Sequence, residues 1–142
     1  MEERFRDNGD GTVTDACTGL MWQQRTADIT GDGGSTAEDG ATWQDALRYC
    51  DGLTLAGHDD WRLPSTRELE SIVDYGRRDP CIGPAFETVA RPHWTSSSLV
   101  PAGDLVDQPH TAGFVDFRYG GHLYHSPKMM PTRHVRAVRT AF

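Results

Sequence analysis

The chain has 142 residues, enough for one domain with a genuine core, and residues 1–142 read as a single domain. Twenty-one acids against fourteen lysines and arginines give a net charge of −7, which argues against non-specific nucleic-acid binding. No run of eighteen apolar residues occurs, so no membrane insertion is expected, and no basic-then-apolar leader is visible.

Fifteen glycines and eight prolines between short apolar runs point to a loop-rich α+β domain rather than a bundle. Arg4–Asp7, the turn Asn8-Gly-Asp-Gly11 and Thr12–Asp15 read as strand, turn, strand, because glycine reaches positive φ without steric cost. Thr18-Gly19 turns the chain again into an apolar strand at Leu20–Trp22. In the polar stretch that follows, Asp28, Thr30, Asp32, Gly33 and Asp39 fall at positions 1, 3, 5, 6 and 12 of a calcium-binding loop. Threonine at the third position and aspartate at the twelfth depart from that pattern. A bound calcium ion and a solvated acidic loop that leads into the next helix therefore both stand as expectations.

Thr42 is placed to cap a helix running to Leu53, with Trp43, Ala46, Leu47 and Cys50 on one apolar stripe. His58-Asp59-Asp60 reads as a turn rather than a metal or acid–base cluster. Trp61 and Leu63 alternate with polar neighbours, as in a short half-buried strand that Pro64 stops. Ser65 with Glu68 spells a capping box, Leu69, Ile72 and Val73 give the following helix an apolar face, and Gly76 is placed to end it in a left-handed cap. Prolines 80, 84 and 92 keep the next stretch irregular. His93–Ser98 alternates into a strand. Its serines lack the Gly-x-Ser-x-Gly elbow of a hydrolase. Gly113–Phe117 is a strand with a hairpin turn at Arg118–Gly121, Leu123 and its neighbours return, and His134–Thr140 closes the chain as a strand.

The charge is uneven. Residues 1–60 hold four cations and thirteen acids, a balance of −9, whereas Arg118, Lys128, Arg133, Arg136 and Arg139 close the chain with no acid among them. That tail favours an anionic ligand locally. Cys17, Cys50 and Cys81 match no zinc pattern, and leave open one disulfide with one thiol or three reduced thiols. His122, His125 and His134 would offer a zinc site if their strands paired, although no acidic or cysteine ligand lies nearby in sequence.

The ordered series Arg4–Asp15, Thr18–Trp22, Thr42–Ala46, Asp60-Trp-Arg-Leu-Pro64, Glu68-Leu69, Trp94–Ser97 and Val135-Arg-Ala-Val-Arg139 resembles the DUF1566 family, also described as the C-terminal domain of a Legionella collagen-like adhesin. The resemblance covers nearly the whole chain. It implies a C-type-lectin-like fold, with two helices and a twisted antiparallel sheet with long loops, carried by an exported protein at the cell surface. The same shape is related to formylglycine-generating enzymes, whose chemistry needs two reactive thiols late in the chain. Here the last cysteine is Cys81, so no enzyme is expected.

Gly113–Gly120, Lys128 and Val135–Arg139 further resemble the fixed posts in variable proteins of diversity-generating retroelements. That likeness implies a ligand-binding surface of Arg118, Tyr119, His122, Tyr124, His125, Met129, Met130, Arg133 and His134. Such side chains suit recognition, since tyrosine and arginine dominate binding hot spots and methionine adapts to irregular partners. The expected partner is a protein or a glycan at a surface. A fixed adhesin domain binding sulfated glycans through Arg118, Lys128 and Arg133 is the alternative.

Overall fold

A computed structural model of the chain describes residues 4–29, 40–77, 80–83, 85–88, 91–98, 111–118, 122–127 and 133–141, and for 98, 111 and 122–127 the backbone alone. The architecture is α+β. Strands β1 (Phe5–Asp7), β2 (Thr12–Asp15) and β3 (Leu20–Gln23) form the opening meander. Gly9 (φ 76°), Gly11 (φ 90°) and Gly19 (φ 73°) make its two turns in the left-handed region that other residues avoid. The Asn8 amide donates to the hydroxyls of Thr12 and Thr14, both at 2.9 Å, and pins the first turn to β2.

Helix α1 (Trp43–Asp51) starts where expected: the Thr42 hydroxyl accepts from the Asp45 N–H at 3.2 Å. Its stripe packs inward, and the Trp43 indole donates to the Thr95 carbonyl at 2.8 Å. A tight turn follows. Leu55 and His58 exchange both backbone hydrogen bonds around Ala56 (φ 54°) and Gly57 (φ 80°), so the turn lies just before the His58–Asp60 stretch where it was expected, and the Asp60 carboxylate accepts from Arg139. Trp61 and Leu63 are each 3% exposed, so their alternation reports burial correctly. They do not form a strand, however. Arg62 alone pairs, exchanging two 2.9 Å backbone bonds with Val138, and Pro64 ends the run.

Helix α2 (Thr66–Glu70) carries the full capping box: the Ser65 hydroxyl accepts from the Glu68 N–H at 3.1 Å, and Glu68 accepts from the Ser65 N–H at 2.9 Å. Arg62 also grips Glu68 through two hydrogen bonds of 2.6 and 2.7 Å, which hold that carboxyl below its ordinary range. The helix is shorter than its apolar pattern suggested. After Glu70 the chain tightens into three-residue turns, and the Asp74 N–H leaves to bond the Cys81 carbonyl at 2.8 Å. Gly76 is not a left-handed cap; its N–H donates to the Asp74 carboxylate at 2.9 Å. Leu69 and Ile72 are buried nonetheless.

Strands β4 (Pro92–Ser98), β5 (Thr111–Asp116) and β6 (His122–Pro127) form a second sheet in the order β4-β5-β6, and β7 (Val138–Thr140) joins the first sheet as β1-β2-β3-β7. One sheet was expected; there are two, all antiparallel within each. A bulge in β4 turns the Ser96 N–H to the Pro64 carbonyl at 2.7 Å and ties the sheet to the Trp-Arg-Leu-Pro segment.

Two cores result. Trp61, Leu63, Trp94, Phe114 and the α1 stripe fill one; Val13, Trp22, Leu69, Ile72, Phe117 and Val138 fill the other. Central β5 feeds both. A side chain at Gly113 would begin 3.0 Å from the Thr95 hydroxyl and 3.2 Å from that of Thr66, tight enough that both threonines would have to give by a few tenths of an ångström. The three cysteines are free: Cys50 and Cys81 buried, Cys17 exposed. Burial pushes the Cys50 thiol up to about 12, so it is a packed, inert group rather than a nucleophile. Among the described residues no helix is long and apolar enough to cross a membrane.

Candidate ligand-binding face

Of the predicted site residues, Arg118 and Arg133 have described side chains near the end of β5, and His122, Tyr124 and His125 are placed by backbone register alone. Phe114 and Asp116 are nearly buried, at 7% and 8% exposure, and form a floor. Backbone register sets Tyr124 opposite Phe114 and His122 opposite Asp116. Arg118 turns back on Asp116, donating its own N–H at 2.9 Å and its guanidinium at 3.0 and 3.2 Å. Burial raises the Asp116 carboxyl, but the Arg118 donors outweigh it and hold the group ionised below its ordinary range.

Arg133 arrives from the far end of the sequence. Its carbonyl accepts from the Ala41 N–H at 2.8 Å, and its Cζ stands 4.6 Å from the centre of the Phe114 ring. Burial lowers its pKa, Asp116 attracts it and Arg118 repels it. Asp116 is thus paired with Arg118 and only attracts Arg133 through space, so among the described residues two guanidinium groups stand near one carboxylate. Planar arginine donors in that arrangement suit carboxylate, sulfate or phosphate oxygens.

His125 pairs with Gly113, one position off the register of Phe114 and Asp116. Tyr119, Met129 and Met130 lie outside the described residues, as do Thr30, Asp32 and Asp39 of the calcium-like loop; Asp28, which opens that loop, is half-buried.

His134 does not belong to the outer face. It is 1% exposed, and its ring lies 5.7 Å from that of His93. The reason is local: its N–H and C=O are taken by Pro92 and Trp94 of β4, so the residue after Arg133 is drawn into the core. A zinc site that needs His134 beside His122 and His125 therefore loses one ligand. Among the described residues no group of three histidine, cysteine or acidic side chains is placed to hold a metal.

The cationic tail is also smaller than its sequence suggests. Arg136 is fully buried, its Nη1 donating to the Gln23 and Gln24 carbonyls at 2.6 Å and its Nη2 to the Glu87 carbonyl at 3.0 Å and the Thr88 hydroxyl at 2.6 Å. Burial brings its pKa down to about 9. Arg139 is tied to Asp60 at 2.6 Å. Both serve the framework; among the described residues Arg118 and Arg133 are left to the face, and Lys128 lies outside those residues. The floor residues Phe114 and Asp116 were legible only as a strand; their partners come from turns and from a segment some twenty residues on.

A separate open groove of about 340 Å³ lies between α1 and the Trp61–Leu63 stretch, and none of the predicted site residues lines it.

A family model described as Lcl C-terminal domain matches residues 11–139. No curated protein sequence matches, and no solved structure does.

Proposed function

Because the chain belongs to the Lcl C-terminal domain family, an adhesin-type domain of surface proteins, we propose that it is a non-enzymatic recognition domain of C-type-lectin-like shape. Its ligand face is the β5–β6 end, from Arg118 to Arg133, and its ligand is an exported-surface partner, protein or glycan, that presents anionic groups. The observation that carries this is the pair of guanidinium groups, Arg118 and Arg133, set over the Asp116–Phe114 floor. The segments that would serve as fixed posts support a face whose outer residues can vary: Gly113–Phe117 and Val135–Val138 are buried. Substitution around them then changes the ligand without touching either core, as in the variable proteins of retroelements.

Sulfated glycans are the glycan class this charge favours. Heparin and fully desulfated heparin separate sulfate recognition from polysaccharide recognition. Heparin is expected to bind, with an affinity that falls steeply as salt rises, because exposed charges are screened beyond about 8–10 Å at physiological ionic strength. Equal binding of the desulfated polymer, or binding indifferent to salt, would remove sulfate from the proposal.

A further inference from the structure

Behind the proposed recognition face lies a buried cluster of two histidines and one arginine that recognition does not use. His93 is fully buried in β4. Its Nδ1 lies 2.8 Å from the Arg91 carbonyl and its Nε2 3.0 Å from the Thr26 hydroxyl. A carbonyl can only accept, so Nδ1 carries the proton and Nε2 accepts from Thr26; the neutral tautomer is set by its partners. The Phe117 ring meets the imidazole edge-on at 5.0 Å, and His134 lies on another side at 5.7 Å.

This cluster sits on a structural joint. The Trp94 N–H donates to the His134 carbonyl and the His134 N–H to the Pro92 carbonyl, both at 2.8 Å. That parallel bridge holds β4, in one sheet, against the segment that runs on to β7, in the other. Arg136 lies on the same segment, and its four acceptors are three carbonyls and a hydroxyl, none of them charged. The carboxylate of Glu87 attracts Arg136 but is itself exposed and paired with Arg25.

We infer that His93, His134 and Arg136 form an acid-sensitive latch: protonation of His93 beside the buried guanidinium opens the bridge between β4 and the C-terminal segment. Burial first, then Arg136 and His134, hold the His93 pKa well below its ordinary 6.5, against the opposing Arg91 carbonyl. The unfolded chain therefore takes up this proton more readily than the folded one. The stability it confers is whole above pH 6.5 and is lost as pH falls below it. Asp15, Asp60, Glu68 and Asp116 have carboxyls held below their ordinary values, so their losses come at lower pH.

Arg133 is carried on the same segment, so opening also displaces one arginine of the recognition face. That consequence rests on the recognition proposal; the unfolding and hydrogen-exchange measurements below do not, and the two can fail separately.

The test follows urea unfolding by tryptophan fluorescence from about pH 7.5 to about pH 5 at fixed ionic strength, for the wild type, His93→Gln and His134→Gln. Below pH 6.5 the wild-type unfolding constant is expected to rise about tenfold for each unit that pH falls on account of His93, and His93→Gln to lose that share of the slope whatever its absolute stability. An unchanged slope in His93→Gln overturns the latch. If that variant does not fold, wild-type hydrogen exchange decides: protection of the Trp94 and His134 amides, which make the bridge, that falls ahead of the rest of the sheets as pH drops to about 5 supports the latch, and protection that stays level with them overturns it.

Discussion

Replacing Arg136 with methionine is expected to cost about 3 kcal/mol, a large part of the 5–15 kcal/mol that holds a typical domain together. Two effects oppose each other. Methionine removes the desolvation cost of a buried cation, whose size is visible in a pKa brought down to about 9. It also takes four hydrogen bonds from a charged donor, each contributing about 1.5–3 kcal/mol in favourable settings. The Glu87 and Gln24 carbonyls keep one bond each, from the Thr26 and Glu87 N–H groups, which places the loss per acceptor at the low end. Four losses at that level still exceed the relief. Lysine keeps the charge but cannot fork across acceptors from two segments, so Arg136→Lys is expected to fall between methionine and wild type. Urea midpoints measure both variants, with an unchanged slope as the check that the unfolded state is the same. A methionine variant within about 1 kcal/mol of wild type would show that the carbonyls are satisfied without the guanidinium.

Trp94→Ala is expected to cost about 3–5 kcal/mol, in the range of large-to-small core truncations. Trp94 is fully buried, pairs with Phe114 across the sheet and donates its indole N–H to the Ala41 carbonyl at 2.8 Å. Ala41 in turn holds the Arg133 backbone. The truncation thus opens a cavity under the recognition face and loosens one of its arginines, so binding is expected to weaken together with the thermal midpoint. Trp94→Phe keeps most of the volume and loses the hydrogen bond, and is expected to cost about 1–2 kcal/mol. If phenylalanine proved as damaging as alanine, the indole N–H rather than the packing would be the dominant contribution.

Local chemistry made much of this fold legible. Asn8-Gly-Asp-Gly11 announces its hairpin because only glycine reaches the required φ cheaply, and Ser65 with Glu68 announces a helix start that the structure builds in full. The stripe from Trp43 to Cys50 identifies α1 by the same logic. Failures arise where a long-range partner decides. Gly76 has the right spacing for a cap, but Cys81 draws the chain away before it. Trp61 and Leu63 alternate like a strand, yet the available partner is the three-residue β7.

Charge misled more than pattern did. Arg136 reads as part of a cationic tail open to an anionic ligand, and His134 as part of the ligand surface that the retroelement likeness implies, whereas both are buried. One signal was present: in Val135-Arg-Ala-Val138 an arginine stands inside an apolar run, where an exposed position would be out of place. The two motifs that carry the family likeness prove to be each other's partners. Arg62 of Trp-Arg-Leu-Pro pairs with Val138, and Asp60 before it holds Arg139. They fasten the frame, and neither motif holds a proposed ligand contact.

The central claim is that Arg118 and Arg133 bind while the frame stands without them. Its most direct measurement is heparin affinity and urea stability in the same samples of wild type, Arg118→Ala/Arg133→Ala, and the control Arg48→Ala/Arg77→Ala, which removes equal charge from exposed pairs elsewhere. The face variant is expected to lose affinity about tenfold or more, with stability within about 1.5 kcal/mol of wild type, and the control to keep both. Equal loss of affinity in the control, or unfolding of the face variant, would contradict the claim.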